Sequence, residues 1–141
     1  YEEAFRSAQG QYPGRFAAHL AYSPALSNLV YAGSDLFLMP SVSEPCGLSQ
    51  LIAMRFGSVP VVRETGGLKD TVPPYNKYTG EGDGFSFANY DAWELREAVR
   101  RALDCWKDEG VMRALVNNAM QADFGFEISA QEYAKLYICM L

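Results

Sequence analysis

The sequence predicts an α/β fold: a parallel sheet with flanking helices, followed by a helical C-terminal segment. Residues 35–40 and 58–62 are short and almost wholly apolar, which is typical of strands buried on both faces of a parallel sheet. Strand-like and helix-like runs alternate through short connections, as right-handed β–α–β crossovers require. Both runs also end in glycine-bearing turns. In open parallel sheets, ligands bind at such turns.

Composition limits the classes of partner. The chain has 141 residues, of which 49% are hydrophobic, enough for a single domain with a buried core. Its formal net charge of −5 argues against nucleic acid or an anionic membrane surface as a partner. No apolar run approaches the roughly 20 residues of a membrane span. We therefore expect no nucleic acid and no membrane partner.

The cysteines and the single histidine indicate the cellular compartment and the chemistry. Cys46, Cys105 and Cys139 are widely spaced and odd in number, and no export signal opens the chain. We therefore expect reduced thiols in a cytoplasmic protein. His19 is the only histidine and no Cys-x-x-Cys occurs, so no metal site is expected. The chain opens abruptly, without methionine or leader, which predicts a piece of a longer protein.

Two helices and one weaker strand are predicted before the first buried strand. Residues 1–9 carry apolar side chains at helical spacing, and a Pro- and Gly-bearing turn follows them. Residues 15–21 are a strand candidate of moderate quality. Ser23, as N-cap, and Pro24, at the first helical position, begin a helix that ends at Gly33.

The middle of the chain alternates between strand and helix. In order, the predicted elements are a strand at 35–40, a helix at 48–56, a strand at 58–62, a helical turn at 69–72, a surface loop at 75–83 and a strand at 84–87. Pro73 and Pro74 end the short helical turn, because proline cannot continue a helix.

The last third of the chain is predicted to be helical. Helices are expected at 92–108, 111–120 and 129–139, with a break at Gly110 and a bend at 123–126. The predicted apolar face of the first of these helices consists of Leu95, Ala98, Val99, Ala102, Leu103 and Trp106. Cys105 and Cys139 are expected in the core, and Trp93 in helix packing.

Three turns are predicted to open on one edge of the sheet: 21–23, 43–48 and 64–67. Two of them bear glycine and can point backbone N–H groups at a diphosphate, with help from the helix N-terminus. A carboxylate between them, Glu44, can accept hydrogen bonds from sugar hydroxyls. An aromatic at the third turn, Tyr22, can stack on a base. The residues therefore predict a site for phosphate and sugar chemistry.

Each of these features also has a purely structural explanation. The pair Gly66 and Gly67 could be only a tight turn, and Gly47 only a close contact between helix and strand. Glu44 could be an N-cap or first-turn acid favoured by the helix dipole. The residues alone leave both interpretations open.

Two longer motifs carry a more specific signal. Residues 41–51 contain Ser-x-x-Glu-Pro-Cys-Gly-Leu-x-Gln-Leu, and residues 57–72 contain Gly-x-x-Pro-Val-Val-Arg-x-Thr-Gly-Gly-Leu-x-Asp-Thr-Val. Near the C-terminus, Asp123-Phe is followed by Ser129-Ala130 and Tyr133. With these motifs the chain resembles the bacterial glycogen synthase and plant starch synthase family from about residue 20 to its end.

The resemblance implies a retaining glucosyltransferase of the GT-B fold, which is built from two Rossmann-like domains. Such an enzyme transfers glucose from ADP-glucose or UDP-glucose to the non-reducing end of an α-1,4-glucan. It implies no cofactor, because the nucleotide sugar is a substrate. Residues 1–141 would be a single domain, the later part of the donor-binding C-terminal domain. The acceptor-binding N-terminal domain would be absent, so the isolated chain is expected to be inactive.

The resemblance also implies roles for individual residues. Glu44 corresponds to the family's donor-site carboxylate, and Tyr22 to the aromatic that stacks on the base. The turn whose N–H groups face the glucose hydroxyls and the distal phosphate consists of Cys46, Gly47 and Leu48. The second phosphate turn consists of Thr65, Gly66 and Gly67.

Some positions depart from the family pattern. Val42 and Ser43 stand where many relatives carry Arg-Phe, so one cation near the site is absent from this stretch. Ile52 stands where the sucrose-synthase-like enzymes have a second glutamate, which favours the glycogen-synthase branch. The Arg and Lys that neutralise the leaving diphosphate, and the acceptor-side histidine, would lie upstream of Tyr1.

Two other classes of protein compete with this interpretation. A dinucleotide-dependent oxidoreductase domain would require Gly-x-Gly-x-x-Gly after its first strand, and the sequence lacks it. A catalytically silent nucleotide- or glycan-binding α/β module remains the alternative.

Overall fold

The computed structural model describes residues 1–140, which form seven helices and three strands. The helices are α1 (Glu2–Gln11), α2 (Pro24–Gly33), α3 (Ser49–Arg55), α4 (Gly67–Thr71), α5 (Ala92–Trp106), α6 (Glu109–Gln121) and α7 (Phe126–Cys139). The strands are β1 (Leu36–Met39), β2 (Val59–Arg63) and β3 (Phe85–Phe87). None of these helices is long and apolar enough to cross a membrane.

The three strands form one parallel sheet in the order β1-β2-β3. Leu36 lies opposite Val59 in the first pair, and Val61 lies opposite Phe85 in the second. Helix α3 connects the first two strands, and α4 with the 75–83 loop connects the last two. The predicted α/β class and its parallel sheet are confirmed.

Strand β2 is the centre of the core, because its alternating side chains enter both faces of the sheet. Val59 and Val61 pack with β3 and with small residues of α5. Val62, which points the other way, packs with Met54 of α3 and with Leu68 of α4. All three valines have no exposed surface. Burial on both faces is thus confirmed for this strand.

Strand β1 is less buried than predicted. It is an edge strand of the three-stranded sheet, and Leu38 keeps 46% of its surface exposed. The prediction was wrong because an apolar run does not show whether other elements cover both faces of a strand.

The C-terminal helices begin at aspartate caps. The Asp91 carboxylate accepts from the N–H groups of Trp93 and Glu94, and the Asp108 carboxylate from those of Gly110 and Val111. The break between α5 and α6 therefore falls at the Asp108 cap. The prediction that Gly110 breaks the helix was wrong, since this residue lies in the first turn of α6.

The apolar side of these helices is only partly covered. The Ala98 and Ala102 side chains of α5 are fully buried, whereas Leu103 and Trp106 of the predicted face are 44% and 49% exposed. Trp93 is also exposed. Alanine at the contact lets α5 approach the sheet closely, so only a narrow stripe is covered.

Helix α7 begins at Phe126, three residues before the predicted start. Its apolar side chains are largely exposed among the described residues, Tyr133 and Tyr137 at 63% each. Cys139, predicted to be in the core, is exposed. The apolar pattern of a helix shows which face can be buried and does not show what buries it.

The chain divides into two compact units, Tyr1–Val30 and the rest. Within the first unit, α1 is followed by an irregular segment. The predicted strand at residues 15–21 is wrong: this segment has no strand, and its Ala18 N–H donates to the Gln9 side chain at 2.7 Å. A strand needs a neighbouring strand to hydrogen-bond with, and this unit contains none.

Candidate functional site

The turn between β1 and α3 is built around Gly47. Its φ of +74° is a conformation that glycine adopts readily, and its backbone is buried. A Cβ at this position would lie 2.5 Å from Oε1 of Gln50. Gln50 has no exposed surface, and its Nε2 donates to the carbonyl of Gly47 at 2.9 Å. The positive φ therefore favours glycine here, and any other residue would also have to displace the buried Gln50 amide.

Three consecutive backbone N–H groups of this turn are free to bind a ligand. Within residues 1–140, the N–H groups of Cys46, Gly47 and Leu48 have no acceptor. The side chains of Cys46 and Leu48 are exposed, Leu48 at 66%. The predicted donor-contact residues thus lie together on one turn with unused donors, Cys46 and Leu48 exposed and Gly47 buried.

Glu44 lies half-buried at the start of the same turn. Within residues 1–140 its carboxylate makes no ion pair and accepts no hydrogen bond. Helix α3 has Leu48 as N-cap, with no side-chain cap and no acid in its first turn. The interpretation of Glu44 as a helix cap or first-turn acid is therefore wrong, and its carboxylate has both oxygens available.

The second glycine turn follows β2 and packs directly against the first. A Cβ on Gly66 would lie 2.1 Å from the Glu44 carbonyl oxygen, and one on Gly67 would lie 2.1 Å from that of Cys46. The Gly67 N–H donates to the Pro45 carbonyl at 3.1 Å. The two turns are thus in main-chain contact, a proximity that only glycine allows.

This contact restricts what the second turn can donate. The Gly67 N–H is used by the first turn, and the Thr65 N–H donates to the Arg63 carbonyl at 2.8 Å. Among residues 1–140, the Gly66 N–H has no acceptor. The hydroxyl of Thr65 also makes no hydrogen bond there. Several N–H groups of this turn were expected to face a diphosphate. Within the described part of the chain, only the Gly66 N–H and the Thr65 hydroxyl remain available as donors.

A cation at this edge was missed by the sequence reasoning. Arg63 ends β2, and its Nε donates to the Ser41 carbonyl at 2.7 Å. Its two Nη atoms donate to the carbonyls of Val42 and Ala88. The guanidinium thus joins the loops that follow β1 and β3. The only signal in the sequence was Arg63 itself, at the end of a buried strand. It is accompanied by residues 42–43, which lack the arginine of the family pattern.

A second connection between the turns is internal. The Gln50 amide nitrogen lies 3.1 Å from Oγ1 of Thr71, and this hydroxyl donates to the Gly67 carbonyl at 2.6 Å. Gln50 Oε1 is buried and accepts no hydrogen bond from any group of residues 1–140. Glu64, beside the second turn, accepts from the Ser86 hydroxyl at 2.7 Å.

Tyr22 belongs to the other compact unit, where it is 86% exposed. It does not follow a strand, so the prediction of a third turn at the end of a strand was wrong. A concave region of about 730 Å³ lies away from both glycine turns, and its lining includes Leu51, Arg55 and Phe124.

The family model for glycosyl transferases group 1 matches residues 19–121. The chain belongs to this family. Both glycine turns and Glu44 lie within the residues that this family model matches.

Within this glycosyltransferase family, the chain is similar to glycogen synthases. It is 53% identical to the glycogen synthase of Caldicellulosiruptor bescii over 141 residues, which are 100% of this chain and 30% of that protein. It is 49% identical to that of Desulforamulus reducens over 137 residues, 97% of this chain and 28% of that protein. The chain thus spans less than a third of the length of these relatives. The resemblance to glycogen synthases is confirmed.

Solved structures show the same fold. The catalytic domain of starch synthase IV from Arabidopsis thaliana, bound to ADP and acarbose, superposes with a TM-score of 0.82 at 40% identity, over 96% of this chain and 29% of that one. Sucrose-phosphate synthase from Thermosynechococcus elongatus superposes with a TM-score of 0.67 at 25% identity, over 98% of this chain and 34% of that one. The fold is that of the C-terminal domain of a GT-B glycosyltransferase.

Proposed function

We propose that the chain is the donor-binding part of a retaining glucosyltransferase that extends an α-1,4-glucan at its non-reducing end. The observation that carries the proposal is that, within residues 1–140, the Glu44 carboxylate and the N–H groups of residues 46–48 belong to one turn and have no hydrogen-bond partner. This set can bind a hexose and its phosphate, because it offers acceptors for hydroxyls and donors for an anion. The similarity to glycogen synthases supports the same function.

ADP-glucose is the donor that we propose, with UDP-glucose as the alternative. Support comes from the related starch synthase IV structure, which holds ADP together with acarbose. The nucleotide sugar is a substrate, so the proposal includes no resident cofactor. The glucan acceptor would bind through an N-terminal domain that is not part of residues 1–141.

Each residue at the edge then has a defined task. Glu44 accepts hydrogen bonds from glucose hydroxyls and orients the sugar for departure of the diphosphate. The N–H groups of residues 46–48 bind a sugar hydroxyl and the distal phosphate. The Gly66 N–H and the Thr65 hydroxyl bind the diphosphate next to it. For Tyr22, which belongs to the other unit, we keep only the base-stacking role that the resemblance implies.

The chemistry follows from the charges. As the glycosidic bond to phosphate breaks, negative charge grows on the leaving diphosphate and the sugar acquires oxocarbenium character. Fixed N–H donors stabilise that charge without having to reorganise. Local donors are needed for this, because the chain carries a net charge of −5. Glu44 stabilises the positive sugar and does not act as a nucleophile.

We also propose a cytoplasmic location. The three cysteines are free thiols, two of them exposed, which suits a reducing compartment.

Titration of the 141-residue chain with ADP, and with NAD as control, tests nucleotide binding. We expect weak ADP binding and no glucosyl transfer by the isolated chain. Tighter binding of NAD would overturn the proposal. So would a lack of binding of either nucleotide at millimolar concentration in the full-length gene product.

Substitution of Glu44 tests the enzymatic function. In the full-length gene product, we expect Glu44→Gln to lower kcat by about 100-fold or more, since it removes the charge that faces the transition state. The matched control, Glu109→Gln, alters an exposed carboxylate on α6 and should leave kcat unchanged. Near-normal turnover by Glu44→Gln would contradict the assigned role. No turnover by the unaltered protein would instead favour a silent binding module.

A further inference from the structure

We propose that Gln50 is a positioning residue of the donor site, which aims the N–H groups of Gly47 and Leu48 at the ligand. Gln50 lies in the first turn of α3, a position that does not by itself require a buried amide, yet its side chain has no exposed surface. The proposal rests on the proposed function, because it concerns how the same turn holds its donor.

The argument starts from the planar peptide group. The Cys46 carbonyl shares a peptide plane with the Gly47 N–H, and the Gly47 carbonyl shares one with the Leu48 N–H. All peptide bonds in the described residues are trans, so the carbonyl and the N–H of each plane point in opposite directions. Any group that holds these carbonyls on one side therefore directs the N–H groups to the other side.

Gln50 is the group that holds both carbonyls. The two hydrogens of its Nε2 serve three acceptors: the Gly47 carbonyl at 2.9 Å, Thr71 Oγ1 at 3.1 Å and, sharing a hydrogen with one of these, the Cys46 carbonyl at 3.3 Å. The opposite amide orientation would place Oε1 against two carbonyl oxygens, which repel it. The orientation is therefore fixed by the turn, and the two N–H groups face away from Gln50.

The same amide couples the turn to its neighbour. Thr71 Oγ1 lies 3.1 Å from Gln50 Nε2 and donates its single hydrogen to the Gly67 carbonyl at 2.6 Å. Hydrogen bonds thus run from Gly47 through Gln50 and Thr71 to Gly67. This chain adds to the main-chain contact between the turns and fixes their relative position.

The unsatisfied oxygen indicates that this arrangement serves more than stability. Among residues 1–140, no protein group donates a hydrogen bond to the buried Gln50 Oε1, and an unpaired buried oxygen carries a free-energy cost. An apolar side chain of similar size, such as methionine, would avoid that cost. Retention of the amide is explained if the direction of the two N–H groups is required for ligand binding.

The test compares Gln50→Met and Thr71→Val in the full-length gene product, measuring the Kd of ADP, the KM of ADP-glucose and of glucan, and the melting temperature. We expect the Kd of ADP and the KM of ADP-glucose to rise about tenfold in Gln50→Met, and severalfold in Thr71→Val. The KM of glucan should stay constant. Any fall in melting temperature should be too small to explain the weaker binding of ADP. Thr71→Ser, which keeps the hydroxyl, should restore the Kd of ADP.

The controls separate this inference from the proposed function. Gln121→Met removes an exposed glutamine amide from α6 and should leave every value unchanged. Normal Kd values for ADP in both Gln50→Met and Thr71→Val would overturn the inference alone. A lower melting temperature and a lower kcat at constant KM would also overturn it, since they would show a merely structural role. Failure of the unaltered protein to bind ADP would overturn the proposed function, and this inference with it.

Discussion

Cys46 differs from the other two cysteines in its position at the candidate site. Its thiol is exposed on the turn that carries the free N–H groups, whereas Cys139 is exposed on α7. Cys105 is half-buried beside the core, and burial raises the pKa of its thiol. Because the thiolate is the reactive form, the three residues should react at different rates.

Alkylation by iodoacetamide, followed by peptide mass spectrometry, should reveal these differences in the full-length protein. We expect Cys46 and Cys139 to be labelled quickly and Cys105 slowly. Saturating ADP-glucose should protect Cys46 and leave the labelling rate of Cys139 unchanged, which makes Cys139 an internal control. Equal labelling of Cys46 with and without the nucleotide sugar would place the donor elsewhere.

The contact between the two turns makes Gly67 sensitive to any side chain. Gly67→Ala would put a methyl group 2.1 Å from the Cys46 carbonyl oxygen, well inside contact distance. We expect the free energy of unfolding to fall by about 3 kcal/mol, the order typical of overpacking. Urea denaturation of the 141-residue chain measures it.

Gly10→Ala is the matched control, since it adds the same methyl group within α1 where nothing lies within 4 Å. Alanine favours helix over glycine, so the control should be neutral or stabilising by up to about 1 kcal/mol. Equal losses of stability in both variants would contradict the steric explanation for Gly67.

At this scale, sequence reasoning found the residues that project from the turns and missed those that shape them. Glu44 and Gly47 were visible because of their types and spacing in a strand–turn–helix pattern. The functions of Arg63 and Gln50 depend on carbonyl groups that are held by folding, and no residue type reports those. For the same reason, the sequence could not show that the Gly67 N–H donates to the Pro45 carbonyl and is unavailable to a ligand.

At the scale of the element, the start of α5 is a reciprocal cap. Asp91 accepts from the N–H groups of the first turn, and the Glu94 carboxylate reaches back to the N–H groups of Ala88 and Asn89. The Asn89 side chain also donates to Glu94. These donors, the Asn89 amide first, hold the pKa of Glu94 below its usual value. The cap fixes where β3 ends and α5 begins.

The cap predicts a pH dependence of stability. The lowered pKa means that the folded state binds the proton of Glu94 less readily than the unfolded state does. The stabilisation is therefore present above the ordinary carboxyl pKa and is lost as pH falls through the folded-state pKa. We expect Glu94→Gln to lower the melting temperature at pH 7, and the difference from the unaltered chain to shrink as pH falls below the ordinary carboxyl pKa.

Glu109→Gln serves as the control at the next helix, where the carboxylate has an exposed ion pair with Arg113. Such pairs contribute little, so its melting temperature should follow that of the unaltered chain across the pH range. A constant difference between Glu94→Gln and the unaltered chain from pH 7 to about pH 3 would contradict the capping explanation.

Elements with local signals were the ones that the sequence predicted well. Strand β2 could be located by its composition alone, and α5 by its periodicity. The start of α6 was misplaced because glycine was given more weight than the aspartate two residues earlier, although Asp108 is a good N-cap type. The strand at 15–21 failed because strand formation depends on a partner.

At the scale of the whole molecule, burial is distributed unevenly between the two units. Residues 1–30 include no buried side chain, while the valines of β2 have no exposed surface. Local opening requires little free energy where few apolar contacts are lost. The first unit should therefore open much more often than the sheet.

Hydrogen exchange of the 141-residue chain, followed by mass spectrometry, measures this difference. We expect the amides of α1 to exchange at least about 100-fold faster than those of β2, because protection follows the free energy of opening. Peptides from α5 and α6, which pack on the sheet, are the internal reference for slow exchange. Similar rates in α1 and β2 would show that the first unit opens only with global unfolding.

The main-chain contact between the turns has a consequence for mutational tolerance. Most of the proposed donors are backbone N–H groups, so Val42, Ser43 and Leu48 can vary with little effect on the positions of those groups. By contrast, Gly66 and Gly67 allow almost no substitution, because any side chain there would separate the turns. A deep mutational scan of residues 41–67 should therefore give isolated intolerant positions next to permissive ones. In this region, fitness would follow the space left for a Cβ atom more closely than the chemistry of the side chain.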